Sequence, residues 1–475
     1  MTHGGEDRRA DGWRRLGWIV AAAVIARVLV LGDPVIHVDE EFYFVTAQAM
    51  WHGALPYVDV WDRKPVGLFL LYTPAAGLPL PWGTLAYQAM ALASVVATAW
   101  LVGRLADRAG WRAGATSAAV AYVLWLDPLG GVGGQAPVFF NLAMAGAAAL
   151  IAYDRPGRTR GLVAMALVGV ALQVKYSVVF EGVAFGLWLL WREWRERRSI
   201  AGTAAYGVAL VAVALLPTAI AFATYAALGH ADAFAFANFA SIFARNPDPW
   251  SERLGNAGAL ILILSPLIAM AFGIERSPLG EDAPVRRFLL GWFAVALAGV
   301  ALFGSWFDHY GLPVLVPGAA CAAGFFANPR WRRLGPPILA LVALIGLATV
   351  AINRANRGTA RQLAALAAAV GRGPGCLYVY SGSTMLYPAT GRCRPSAYIF
   401  PSHLGRARER GSIGVDQAQE VRRILGSSPA VVVMRPPYRG ERPEIRAIVL
   451  AEVRRRYRLA ATLPMGRERI EVWRR

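Results

Sequence analysis

Asp39, Glu40 and Glu41 open the stretch "HVDEEFYFVTAQAMWHGALPYVDVWDRKPVGLF" (residues 37–69), and Asp59, Asp62, Arg63 and Lys64 lie near its end. A carboxylate in such a set can take a proton from a hydroxyl, and a cation can neutralise a departing phosphate. The stretch follows directly on an apolar segment, residues 16–35, that is long enough to cross a bilayer. Ionisable groups crowded against a membrane surface suit a reaction on a lipid-borne substrate. For either acid of the Asp39–Glu40 pair taken alone there is also a plainer reading. Both would sit at the start of a helix over residues 39–52, where carboxylates cap free N–H groups and complement the dipole.

The chain carries 47 Arg but only two Lys, Lys64 and Lys175. A compact ammonium serves as a phosphate point charge where a guanidinium fork does not fit. Lys175 falls in "GVALQVKYSVVFEG", at a tight turn between two short apolar segments. The plainer readings are chance survival of two lysines, and a Lys175 that snorkels at a helix end. A third cluster, "SWFDHYGLPVLVP" (residues 305–317), adds Asp308, His309 and Tyr310. His309 suits contact with a phosphate or acceptor, and equally an ordinary interfacial position. These loops contain no HxxxH, CxxC or DxD spacing, so no catalytic metal is expected. The absence of GxxxxGK[ST] speaks against an ATP-driven transporter, and no cofactor is expected.

What must position these residues is a set of membrane helices. The 475 residues are 56% hydrophobic, and apolar runs recur along them, which points to a polytopic α-helical membrane protein. After the first span the pattern places ten more near residues 82–103, 113–127, 137–153, 161–174, 176–191, 203–228, 256–274, 288–305, 310–327 and 335–352, eleven in all. Arginine tests the orientation. Residues 1–15, 104–112, 154–160, 192–198, 275–287 and 328–333 contain twenty Arg, whereas the opposite loops hold five Lys or Arg. The basic loops are therefore cytoplasmic, which places the charged loop (residues 37–81) and the C-terminus outside. The same placement explains the net charge of +19 without nucleic acid.

From residue 353 the pattern changes. "CLYVYSGS" and "AVVVMRPP" read as short buried strands, and "VDQAQEVRRILGS" and "PEIRAIVLAEVRRRY" as amphipathic helices. Residues 1–352 are thus expected to form the transmembrane catalytic domain and 353–475 a small external α/β domain. Cys376 and Cys393 lie in that second domain, where an oxidising compartment permits either a bridge or two free thiols.

The loop 37–69 resembles the first external loop of the GT-C glycosyltransferases, in the bacterial branch of protein O-mannosyltransferases and lipid A aminoarabinose transferases (family 39-like). The shared features are the acidic pair after the first span, then "G-x-x-P-Y-x-D" and "D-x-K-P-x-G". "GVALQVKYS" and "DHYGLPVLVP" resemble two later motifs, so the match runs in order over about residues 16–320. One departure is "KPVG", where many relatives read "KPPG". The resemblance implies inverting sugar transfer from a polyprenyl-phosphate donor to a hydroxyl on the periplasmic face of the inner membrane, without a metal. By position, Asp39 corresponds to the catalytic base and Glu40 to its partner acid. Lys64, Lys175, His309 and Tyr310 correspond to donor-phosphate contacts. Tyr57, Asp59, Asp62 and Arg63 then support the loop. The acceptor would be a lipid, a glycan or a protein.

Two rival readings share the cation cluster. A transporter or flippase of lipid-linked sugar intermediates needs cations but no poised base. A scaffolding subunit needs neither Asp39 nor the two lysines.

Overall fold

The computed structural model describes residues 3–153, 157–272 and 283–475. Parts of the expected cytoplasmic loops 154–160 and 275–287, and residues 1–2, lie outside the described residues. The chain divides into two compact units, each discontinuous in sequence. One comprises Met1–Leu29, Ala89–Ala219 and Trp250–Val350; the other comprises Val30–Gln88, Ile220–Pro249 and Ala351–Arg475. Residues from 351 onward therefore share a unit with the charged loop.

The first unit is helical. Its most enclosed helix, Leu315–Ala327 (LVPGAACAAGFFA), packs against Ala115–Leu126, Trp250–Phe272 and Ala283–Phe303. Small side chains along it let neighbouring backbones approach closely, the usual way for helices to associate where lipid removes the hydrophobic drive. Gly114 shows how close: a Cβ there would stand 2.0 Å from the Ala323 carbonyl oxygen. A second antiparallel pair, Ala136–Ile151 and Arg158–Leu172, lies beside Val179–Arg197.

Six helical segments among the described residues are long and apolar enough to span a bilayer: Trp82–Arg108, Ile200–Ala227, Trp250–Phe272, Ala283–Phe303, Asp308–Ala327 and Arg332–Val370. Other expected spans coincide with shorter helices, among them Ala115–Leu126 with 12 residues and Ala136–Ile151 with 16. At about 1.5 Å per residue these rise roughly 18 and 24 Å, less than a hydrocarbon core of about 30 Å. The first expected span, 16–35, also differs from the observed element: the helix His3–Arg27 ends at Arg27 and turns follow. Arg27 faces the protein interior, where its guanidinium donates to the Gly131 carbonyl at 3.2 Å. This satisfies a cation that lipid would not tolerate.

The second unit combines the loop helices with an α/β layer. Strands β1 (Leu377–Val379), β2 (Val431–Met434), β3 (Arg458–Met465) and β4 (Glu468–Arg474) form one sheet in the order β1-β2-β4-β3. The β1/β2 pair is parallel and the others are antiparallel. Helices Gln417–Gly426 and Pro443–Arg456 place Val421, Ile424, Ile445, Val449 and Val453 in the same core as Tyr378, Tyr380 and Val432. Trp61, from the charged loop, is part of that core, and its backbone N–H donates to the Ala397 carbonyl at 3.0 Å. Cys376 and Cys393 form a disulfide.

Candidate active site

Helix Val38–Trp51 starts where the sequence indicates, but its cap is not a carboxylate. His37 is the N-cap: its Nδ1 accepts the Asp39 N–H at 3.2 Å. This corrects the capping half of the plainer reading, because with His37 closing the helix end the acids are not needed for it. Asp39, Glu40 and Glu41 occupy the first turn, where the dipole favours negative charge.

The three acids have different surroundings. Asp39 is partly exposed and Glu40 is buried. Burial first, then the charge of Asp39 and a hydrogen bond to it, holds the Tyr43 hydroxyl protonated well above its usual range. Glu41 is buried and Oε2 accepts from the Ser383 hydroxyl at 2.6 Å and the Thr384 N–H at 3.0 Å. Burial pushes its pKa up to about 7 against the opposing pull of those hydrogen bonds.

The second half of the loop, Asp62 to Lys64, is irregular and runs beside helix Val38–Trp51. Asp62 is buried, and its Oδ1 accepts the Arg63 N–H at 2.6 Å. Burial lifts its pKa to about 6, the Lys64 ammonium opposes this, and the Asp39 carboxylate adds to it. The Lys64 ammonium lies 5.8 Å from the Tyr43 ring centroid. Asp39, Asp62, Lys64 and Tyr43 thus form one electrostatically coupled group within this unit.

The residues expected to support the loop make the following contacts within this unit. The Tyr57 hydroxyl donates to the Lys64 carbonyl at 2.8 Å, and Tyr57 adopts a left-handed φ of 70°. A non-glycine residue at such a φ is strained and persists only where its surroundings enforce it. The ring of Tyr57 is set by Phe69, Tyr225 and Phe234. Asp59 closes the local turn, accepting the Leu55 N–H at 2.7 Å. Arg63 is committed to structure: it pairs with Glu409 at 2.6 Å and donates to Ser241 Oγ at 3.0 Å and Ser412 Oγ at 2.7 Å. Arg245 pairs with the same Glu409 at 2.9 Å. Burial raises the Glu409 pKa, but these two arginines outweigh it and hold the group at about 2.

Lys175, His309 and Tyr310 belong to the first unit, so the candidate residues fall into two sets. Lys175 lies at the turn between helices Arg158–Leu172 and Val179–Arg197, with its ammonium 5.0 Å from the Tyr310 ring centroid. Tyr310 packs edge-on to His309 and Phe307. His309 Nδ1 lies 3.2 Å from Asp308 Oδ1. The mid-chain lysine and the late aromatic loop, 135 residues apart in sequence, therefore meet as a cation over an aromatic ring.

No family model matches the chain, and no curated protein matches it in sequence. Solved structures do match. ArnT from Cupriavidus metallidurans bound to undecaprenyl phosphate superposes with a TM-score of 0.66 at 15% identity, over 98% of each chain. An oligosaccharyltransferase from Archaeoglobus fulgidus, tethered to an acceptor peptide, gives 0.50 at 11% identity over 89% of this chain and 69% of its own. Both have the architecture of GT-C membrane enzymes. The chain has the GT-C fold.

Within this GT-C fold, several residues that shape the loop escape a reading of the sequence. Glu409, Ser241 and Ser412 fix Arg63, Arg245 shares Glu409 with it, and Ser383 and Thr384 hold Glu41. Their only sequence signal is that acids are scarce beside 49 basic residues, so each acid in an arginine-rich segment is a candidate ion-pair partner.

Proposed function

We propose that this GT-C protein is an integral membrane glycosyltransferase that moves a sugar, with inversion, from a polyprenyl-phosphate donor to a hydroxyl acceptor at the periplasmic membrane face. The observation that carries this reading is that, in a chain with the GT-C fold, helix Val38–Trp51 holds Asp39 in its first turn and the Lys64 ammonium lies 5.8 Å from the Tyr43 ring of the same helix. Asp39 takes the acceptor proton as the acceptor oxygen attacks the anomeric carbon. The bond from that carbon to the phosphate oxygen breaks, and polyprenyl phosphate leaves as a monoester. Glu40 orients the acceptor and supports Asp39. Lys64 stabilises the charge growing on the leaving phosphate, and Lys175, with His309 and Tyr310 beside it, is assigned to the donor phosphate by resemblance. Lysine charge takes the place of a metal in this scheme. A general base contributes about 10²–10⁴-fold and one charge-stabilising donor about 10²–10³-fold.

Several features support the placement. ArnT, which shares the fold, holds undecaprenyl phosphate. The disulfide between Cys376 and Cys393 suits an oxidising, extracytoplasmic compartment, as the arginine distribution does. From their expected external placement alone, we propose that residues 353–475 help select the acceptor; a truncated protein with unchanged acceptor choice would remove this role. The test of the reading is turnover: the purified protein is incubated with a panel of radiolabelled polyprenyl-phosphate sugars and a membrane extract as acceptor. Sugar should leave one donor with polyprenyl phosphate as coproduct. A full panel left intact, beside retained donor binding, would favour the flippase.

A further inference from the structure

The arginine-rich end of the helical unit contains a pocket that the proposed chemistry does not use. Its volume is about 670 Å³, and it is lined where three helices begin or end: Ala136–Ile151, Val179–Arg197 and Ala283–Phe303. The last of these is a candidate membrane span, so its first turn marks the level at which the chain leaves the apolar layer. Part of the lining is aromatic. Trp188 lies 5.0 Å from Trp191 and 5.5 Å from Phe288, ring centroid to centroid. Another part is cationic. Arg192 and Arg195 both line the pocket, and the Arg195 guanidinium sits 5.3 Å from the Trp191 ring centroid.

More positive charge gathers around it. Tyr153, also in the lining, carries the guanidinium of Arg108 at 3.9 Å and that of Arg160 at 4.4 Å. Among the described residues, the only carboxylate in the lining, Glu196, is 56% exposed and stands 4.0 Å from Arg192. Among those residues, one loosely held acid faces four guanidinium groups. Interfacial tryptophan and tyrosine with arginine at the end of a membrane helix form the setting in which anionic headgroups are bound.

We propose that this pocket is a site for an anionic phospholipid. Arg192 and Arg195 take the headgroup phosphate through paired N–H donors, as guanidinium does with phosphate oxygens. The glycerol and first acyl methylenes lie against Trp188 and Phe288. The guanidinium groups alone would accept any soluble phosphate ester, but the aromatic wall selects a phosphate that arrives with hydrocarbon attached.

The full-length protein in nanodiscs of phosphatidylcholine, with and without phosphatidylglycerol, provides the test. Native mass spectrometry reads how much phosphatidylglycerol each variant retains. Arg195→Gln and the double variant R192Q/R195Q should weaken retention about fivefold for each arginine removed, with phosphatidylcholine unaffected. Arg333→Gln, which leaves the pocket lining intact, should behave as the parent does. Arg192 also donates to the Tyr153 carbonyl at 2.9 Å, so the Arg195 single variant and a thermal unfolding curve separate binding from folding. Unchanged retention in Arg195→Gln and the double variant would overturn the proposal. So would an equal loss in Arg333→Gln, or displacement of the lipid by soluble glycerol phosphate at matched concentration.

Discussion

Three consecutive carboxylates, Asp39, Glu40 and Glu41, share one helical turn but not one environment: Asp39 is partly exposed, Glu40 and Glu41 are buried, and Glu41 is held by Ser383 and Thr384. Folding lifts the Glu41 pKa from an ordinary 4.5 to about 7, so the folded state holds that proton more tightly than the unfolded chain. The resulting contribution is fully present below about pH 4.5 and is lost as pH rises through 7, roughly 3 kcal/mol over that window. Glu41→Gln, which mimics the protonated acid, should therefore unfold with a flatter pH profile than the parent. Thermal midpoints in detergent at a series of pH values from acid to neutral would show it; parallel profiles would remove Glu41 as the cause. The residue types of the site were legible in the sequence, because acids, two rare lysines and an HY pair stand out in an apolar, arginine-rich chain. Which acid is buried was not legible, since Glu41 is held by Ser383 and Thr384, more than 340 positions away.

At the scale of elements, the loop contacts that lend themselves to test are the Tyr57 hydroxyl and the Arg63–Glu409 ion pair. Tyr57→Phe removes the hydrogen bond to the Lys64 carbonyl, worth about 0.5–1.5 kcal/mol. The donor KM should rise roughly 2- to 10-fold with kcat less affected, which steady-state kinetics would reveal. Arg63→Met leaves Glu409 buried with one fewer partner and should cost about 3–5 kcal/mol in unfolding experiments. R63M/E409M should regain much of that loss; if it is as unstable as the single variant, the pair is not what anchors the loop. Helix Val38–Trp51, strands β1 and β2 and the two amphipathic helices were readable from apolar runs and spacing. The β3/β4 hairpin was not recognised, because its outer strand "RLAATLPM" is largely exposed, contains Pro464, and has its alternation interrupted by an irregularity between Leu459 and Ala461. Its turn does carry a signal in Gly466, which takes a φ of +61°.

For the whole molecule, membrane character was evident from composition, while span lengths were not. Helices as short as Ala115–Leu126 are stable here because small-residue packing encloses them, a feature that hydropathy does not report. Nor does a linear reading show that Val30–Gln88 and Ala351–Arg475 share one compact unit, because the contacts joining them, such as Phe42 stacked 3.9 Å from Phe400, have no local signature. The arginine asymmetry and the disulfide both predict an external C-terminus. A reporter enzyme active only in the periplasm, fused after Arg475, should be active, and Cys376 and Cys393 should resist alkylation until reduced. A cytoplasmic reporter signal would invert the topology and remove the charged loop from the face where the reaction is placed.

The role of Asp39 as the base is tested most directly by single-turnover transfer by Asp39→Asn beside the parent, with donor binding measured on the same preparations. Transfer should fall by about 10²–10⁴-fold while donor affinity changes little, since the variant loses the base and keeps Lys64. Transfer at the parental rate by Asp39→Asn would contradict that role.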